Sequence, residues 1–204
     1  MSLDYTALAL FLLAAVALLG SPGPVIVSLV ATGRKSGFAA SLRYFAGIQV
    51  GLAVAAGLSA AGLVSIILAA PLVAKAMTVL AVIYLIYLAY KVASAPPVGF
   101  APADQPRDDG FSPLGGLLLG LGNPKGYLSF ASLMGSYTIL HAAPQFDAIA
   151  KWAICVVVMI VVDLIWLGVG VALNRAPLSP RNERILNVVM GCTIFATALL
   201  VLAA

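Results

Sequence analysis

Charge is what this chain has least of. Only 9% of its 204 residues are Asp, Glu, Lys or Arg, whereas 63% are hydrophobic, and the mean hydropathy is +1.11. A soluble domain carries about 25% charged and about 45–50% apolar residues. A soluble core of this size has no use for so much apolar surface, so the bilayer must be its solvent. Histidine occurs once, at His141, and cysteine twice, at Cys155 and Cys192. One imidazole and no Cys/His cluster exclude a zinc site. The missing C-x-x-C pair argues against dithiol chemistry. Both cysteines lie in apolar runs and read as small packing residues. Basic runs are absent as well: the net charge is +4, but Lys and Arg flank apolar stretches, with no glycine–aromatic interleaving. That pattern excludes nucleic acid as a partner. No cofactor is expected.

What is present is apolar length. A span needs about 20 apolar residues to cross about 30 Å of hydrocarbon, and six segments qualify. They run from near Tyr5 to Thr32, from about Phe38 to Ala69, from about Leu72 to Ala93, from about Pro113 to Leu140, from about Phe146 to Leu173 and from about Ile185 to Leu200. The first lacks a basic leader and a small-residue cleavage site, so it reads as a retained span. Between Ser94 and Ser112 the prolines and charges of PPVGFAPADQPRDDG are incompatible with a span and predict an exposed loop. The expected architecture is a single all-α integral membrane domain over 1–204: repeat 1 over about 1–94, a loop over about 95–112 and repeat 2 over about 113–204. Three spans per half force the second half to enter the membrane from the opposite side, so any repeat is inverted.

Lys and Arg set the orientation. Arg34, Lys35 and Arg43 lie at the first loop, Lys91 and Arg107 at the third, and Arg175, Arg181 and Arg184 at the fifth; the other side has only Lys75 and Lys151. Odd loops are therefore expected in the cytoplasm and both termini outside, with the chain multi-pass in the cytoplasmic (inner) membrane.

Spans 1 and 4 are interrupted, at Ser21-Pro22-Gly23-Pro24 and at Gly122-Asn123-Pro124-Lys125. Lipid offers no partners to freed backbone groups, so such breaks survive only against protein or a water-filled cavity. Paired breaks in two halves are a sequence pointer to a transporter's binding site. The first break is either a plain proline kink or a helix unwound around Gly23, with a half-helix starting at Pro24. Such a start suits proline and presents free N–H groups to a carboxylate. In the second, Asn123 can cap a helix and Pro124 suits its first turn. Lys125 then places a charge at membrane depth, which costs at least ~2.5–3.5 kcal/mol at a helix centre. It either snorkels to the interface or faces the cavity.

Asp163 is the acid most completely surrounded by apolar residues, in VVVMIVVDLIWLGVG. It either bonds a neighbouring helix or serves function, which is the default for a membrane acid. Burial disfavours its charge while a nearby lysine favours it, a competition suited to a proton-coupled step. Cys155, Met159, Asp163, Trp166 and Gly170 share one helical face, which is expected to point inward. Gln49, within Gly47-x-x-x-Gly51, lines the cavity or bonds a neighbour. Gly47, Gly51, Ala55, Ser59 and Gly62 form a small-residue stripe for helix packing. Tyr84, Tyr87 and Lys91 read as an interfacial anchor.

Together these residues resemble the lysine exporter (LysE/RhtB) family of amino-acid exporters. The likeness lies in the SPGP break with the following GRKSGFAASLRYFAGIQVG, in AVIYLIYLAYKV at the third-span end, and in GLGNPKGYLSF in the fourth span. APQF, VVDLIW and NVVMG also fit. It covers nearly the whole chain. Two departures stand out: Leu52 occupies a position where many relatives carry a polar or acidic residue, and the last span ends without a basic residue. The resemblance implies export of amino acids or similar small metabolites, driven by a proton or ion gradient.

The expectation is a secondary exporter, not an enzyme. Its substrate site comprises Ser21, Gly23, Pro24, Gln49, Asn123, Pro124, Lys125 and Trp166, with Asp163 coupling transport to protons or ions. Its partners are a small amino acid, most readily a neutral one, the coupling ion and membrane lipid; exposed glycine stripes would permit a homodimer. Rival readings are a membrane thiol-redox carrier, which needs paired reactive cysteines, a passive small-solute channel, and an intramembrane enzyme, which needs a catalytic cluster that the lone histidine does not supply.

Overall fold

A computed structural model of the chain describes residues 3–62, 71–94, 111–141, 143–175 and 179–203. Among the described residues the regular structure is helical: α1 (Tyr5–Gly20), α2 (Pro24–Ala60), α3 (Pro71–Ala93), α4 (Pro113–Leu121), α5 (Pro124–Ser136), α6 (Pro144–Arg175) and α7 (Pro180–Ala203). Six of these seven begin with proline. The reason is local: proline's fixed φ suits a first turn, and the N–H it lacks would have no intrahelical partner there. A lone antiparallel bridge joins Leu3 to Leu140.

Both interruptions are real breaks in helix, between α1 and α2 and between α4 and α5. The first expected loop differs. Helix continues past Thr32 through Arg34 and Lys35, and the bend comes at Gly37, whose φ of 77° lies in the left-handed region. Glycine populates that region without the penalty a Cβ brings. Arg34 is therefore no loop charge. It is 4% exposed, bonds Asn187 Oδ1 at 2.8 Å and pairs with Glu183 at 3.2 Å. A buried arginine needs such partners because desolvation is costly. The second span was expected to continue to Ala69, but its part from 63 to 69 is not among the described residues. Helix α2 ends at Ala60, Gly62 turns out with φ 71°, and 63–70 lie outside the described residues. The exposed loop expected at 95–110, with Arg107, lies outside them too, as does the side chain of Tyr84.

Helix α2 is the hub, packing mainly on α6 and α4, while α3 packs on α7. The small-residue stripe explains the α2–α4 contact. A Cβ at Gly47 would overlap the Pro113 carbonyl, and one at Gly51 would stand 2.5 Å from the Leu117 oxygen. From the other side, Gly116 and Gly120 lie against the Tyr44 and Ile48 carbonyls. Close backbone approach of this kind is how helices gain packing energy where no hydrophobic effect separates them from lipid. Gly62 was expected in the stripe but meets nothing, because the helix has already ended.

Large side chains such as Leu13, Leu128, Val157 and Ile165 are exposed all around this bundle, as lipid-facing residues must be. Two described segments, Pro24–Ala60 and Pro144–Leu173, are long and apolar enough to cross a membrane. At one end of the bundle Lys151 pairs with Asp147 at 2.7 Å and donates to Met134 O in the last turn of α5 and to Tyr137 O just beyond it. Asp147 also accepts the Ile139 and Leu140 amides. Lys151 is thus a buried cap, not an interfacial charge. Nearby, Asp4 caps α1; the Ala7 amide and then His141 hold its carboxyl below the usual carboxylate range.

Candidate functional site

The two breaks meet. Gly23 and Lys125 are in contact: a Cβ at Gly23 would lie 2.9 Å from Lys125 Cδ. Around this meeting point lies a small, open-mouthed cavity. Its wall includes Ser21 and Gly23 from the first break, Asn123 and Lys125 from the second, and Asp163 from α6. Leu18, Ile26, Leu52, Phe130 and Met159 make much of the remainder apolar. A mostly apolar hollow with a few convergent polar groups is the usual form of a small-molecule site.

The half-helix starts supply part of that polarity. Helices α2 and α5 begin at Pro24 and Pro124, and both lack a side-chain cap. Their first-turn N–H groups have no intrahelical acceptor, and Val25, Ile26, Lys125 and Gly126 of those turns line the cavity. Two positive dipole ends therefore point toward one space, which favours an anionic group there. The expected cap at Asn123 is not formed. Its backbone sits at the N-cap position with φ −78° and ψ 101°, but Oδ1 is buried without a hydrogen-bond partner, in a residue 6% exposed.

Four carbonyls at the first break have described donors. Ser21 Oγ donates to Leu18 O at 2.9 Å, and Trp166 Nε1 to Gly20 O at 3.2 Å. Lys125 Nζ donates to Ser21 O and, at 3.3 Å, to Pro22 O. Lys125 is among the residues that line the cavity. Its direct partners are backbone oxygens; no described ion pair joins it to Asp163.

Asp163 is 3% exposed and takes one described hydrogen bond, from Gln49 Nε2 at 2.7 Å. The Gln49 Oε1 atom is buried and unpartnered. Gln49 thus bonds a neighbour, and reaches the cavity only through Asp163. The inward face of α6 is as the spacing indicates: Cys155, Met159, Asp163 and Gly170 are buried. Cys155 is buried and Cys192 exposed, and both thiols are free.

Of the nine residues expected at the site, Ser21, Gly23, Asn123, Lys125 and Asp163 line the cavity. Pro24, Gln49, Pro124 and Trp166 stand one residue or one hydrogen bond behind it. Ser129 and Phe130 were not anticipated. The signal was available: Ser129 lies one turn beyond Lys125, and residues four apart on a helix share a face.

The cavity, the two breaks and the paired half-helices are the setting for the comparison with known proteins. No curated protein and no solved structure matches the chain. Residues 16–204 match the family described as LysE type translocator. That match takes in both breaks, the cavity and all nine expected site residues, and the chain therefore belongs to the LysE type translocator family.

Proposed function

We propose that the chain is a secondary active exporter of a small, neutral amino acid or related metabolite, coupled to protons through Asp163. Membership of a translocator family implies export of amino acids or other small solutes; substrate and coupling are the finer reading. The observation that carries it is the convergence of two half-helix starts and one buried carboxylate on a single cavity. The first-turn amides of Val25, Ile26, Lys125 and Gly126 hold the substrate carboxylate. Asp163 receives the substrate amine or a proton, never both, and so exchanges one for the other. Gln49 orients Asp163, Trp166 steadies the end of α1, and the wall formed by Leu18, Ile26, Leu52 and Met159 takes an uncharged side chain.

In this reading six spans form two inverted three-span repeats in one domain, in the cytoplasmic membrane with both termini outside. Supporting the repeat is the equivalence of the breaks: each ends one helix and starts another at a proline. Alternating access then rocks one half against the other around the fixed cavity.

Proteoliposomes loaded with labelled neutral amino acids and given an imposed pH gradient test the proposal. The wild type is expected to show gradient-driven flux. Asp163→Asn is expected to lose gradient dependence, by about tenfold or more if one charge-assisted step is removed. Undiminished gradient-driven flux in that variant removes Asp163 from coupling. Flux indifferent to the gradient in the wild type favours a passive channel instead.

A further inference from the structure

The end of α1 offers backbone oxygens where a membrane helix is cut. Helix C-termini carry partial negative charge, and unwound carbonyls at such ends coordinate cations in transporters with interrupted helices. Here the chain is extended through the break, with Ser21 at φ −72°, ψ 142° and Gly23 at φ −167°, ψ −177°. Leu18 O and Gly20 O are taken by Ser21 Oγ and Trp166 Nε1. Ser21 O and Pro22 O, beyond the helix end, both accept from one and the same ammonium. The stem of Lys125 crosses the place where a Cβ of residue 23 would be, with Nζ itself 3.2 Å from that point. Glycine at 23 and lysine at 125 are therefore two parts of one fit.

We infer that the Lys125 ammonium fills a monovalent-cation site made by the Ser21 and Pro22 carbonyls, a cation carried by the chain instead of drawn from solution. The site takes a small cation of compact charge, an alkali ion or a primary alkylammonium, once the side chain is shortened. In the intact protein it is closed to solutes, so no sodium dependence arises at this break. The same ammonium also links the two halves at the level of the cavity, because the oxygens belong to the first break and the lysine to the second. This inference goes beyond the exporter reading and needs neither substrate nor gradient for its test.

The test is thermal unfolding of the full chain, purified in detergent, as wild type, Lys125→Ala and Lys125→Met. Each is titrated with methylammonium chloride and with sodium chloride, and choline chloride controls for ionic strength. The alanine variant is expected to melt several degrees below wild type and to regain most of that loss saturably with methylammonium or sodium, but not with choline. Rescue by methylammonium marks a site that wants N–H donors, and rescue by sodium one that wants charge alone; either supports the inference. Wild type is expected to respond to none of the three. The methionine variant keeps the packing of the stem, so it folds even if the alanine variant does not. It is expected to melt below wild type, because its carbonyls are bare. The inference is overturned if methionine at 125 is as stable as lysine, if no cation outperforms choline in the alanine variant, or if wild type gains as much as the variants do.

Discussion

The two breaks look alike in sequence and differ in chemistry. At the first, every carbonyl from Gly20 to Pro22 has a donor, supplied by Trp166 and Lys125 from distant helices. At the second, Gly122 N still bonds Leu118 O as in a helix, yet the buried Asn123 Oδ1 has nothing. An unpaired buried acceptor costs about 1–3 kcal/mol, a penalty that the Gly20, Ser21 and Pro22 carbonyls avoid. The difference separates two roles. The first break is a fastened joint, with its Gly20, Ser21 and Pro22 carbonyls engaged in holding the helices together. The second keeps an unspent acceptor beside a cavity, where a ligand donor can meet it.

Substitutions that break this asymmetry should therefore differ in kind. The largest effect is expected from Gly23→Ala. The added Cβ lies 2.9 Å from Lys125 Cδ, so the stem must move and the joint opens. The stem itself moves cheaply, but the hydrogen bonds from its charged donor are lost, at a cost of about 1.5–3 kcal/mol, read as a lowered melting temperature together with loss of transport. A variant that melts and transports like wild type would sink the fastened-joint account. Next is Trp166→Phe, which keeps most of the ring but removes the donor to Gly20 O. A single such bond contributes about 0.5–1.5 kcal/mol, so a modest fall in stability is expected, with flux altered less than by Gly23→Ala. Asn123→Ala should be the mildest on stability, within about 0.5 kcal/mol of wild type, because no cap bond exists to lose. Its cost should appear instead as weaker apparent affinity for substrate. A large drop in melting temperature without any change in affinity would reverse the roles assigned to the two breaks.

Much of this was legible in the chain, for identifiable reasons. Proline and glycine in the middle of apolar runs have few physical outlets, so both breaks could be placed to the residue. Spacing alone turned Met159, Asp163 and Gly170 inward. What escaped was partnership. Nothing in local sequence says that Lys125 reaches the carbonyls of Ser21 and Pro22 a hundred residues away, or that Gln49 donates to Asp163. Arg34 looked like an interfacial charge because its partners, Glu183 and Asn187, sit on the last helix. Lys151 misled in the same way, its function as a cap being set by the helix end at Tyr137. Composition reveals that a charge is expensive in lipid; only the tertiary fold reveals which group offsets it. Asn123 is the converse case: its residue type promised a cap, and the packed site left it without one.

Gly37 carries a consequence of its own. A single residue joins the half-helix that begins at Pro24 to the segment bearing Gln49 and Leu52. With no slack between them, these two lengths of α2 behave as the arms of a bell crank. Tilting the arm that starts at the cavity floor would swing the arm that carries Gln49, the hydrogen-bond partner of Asp163.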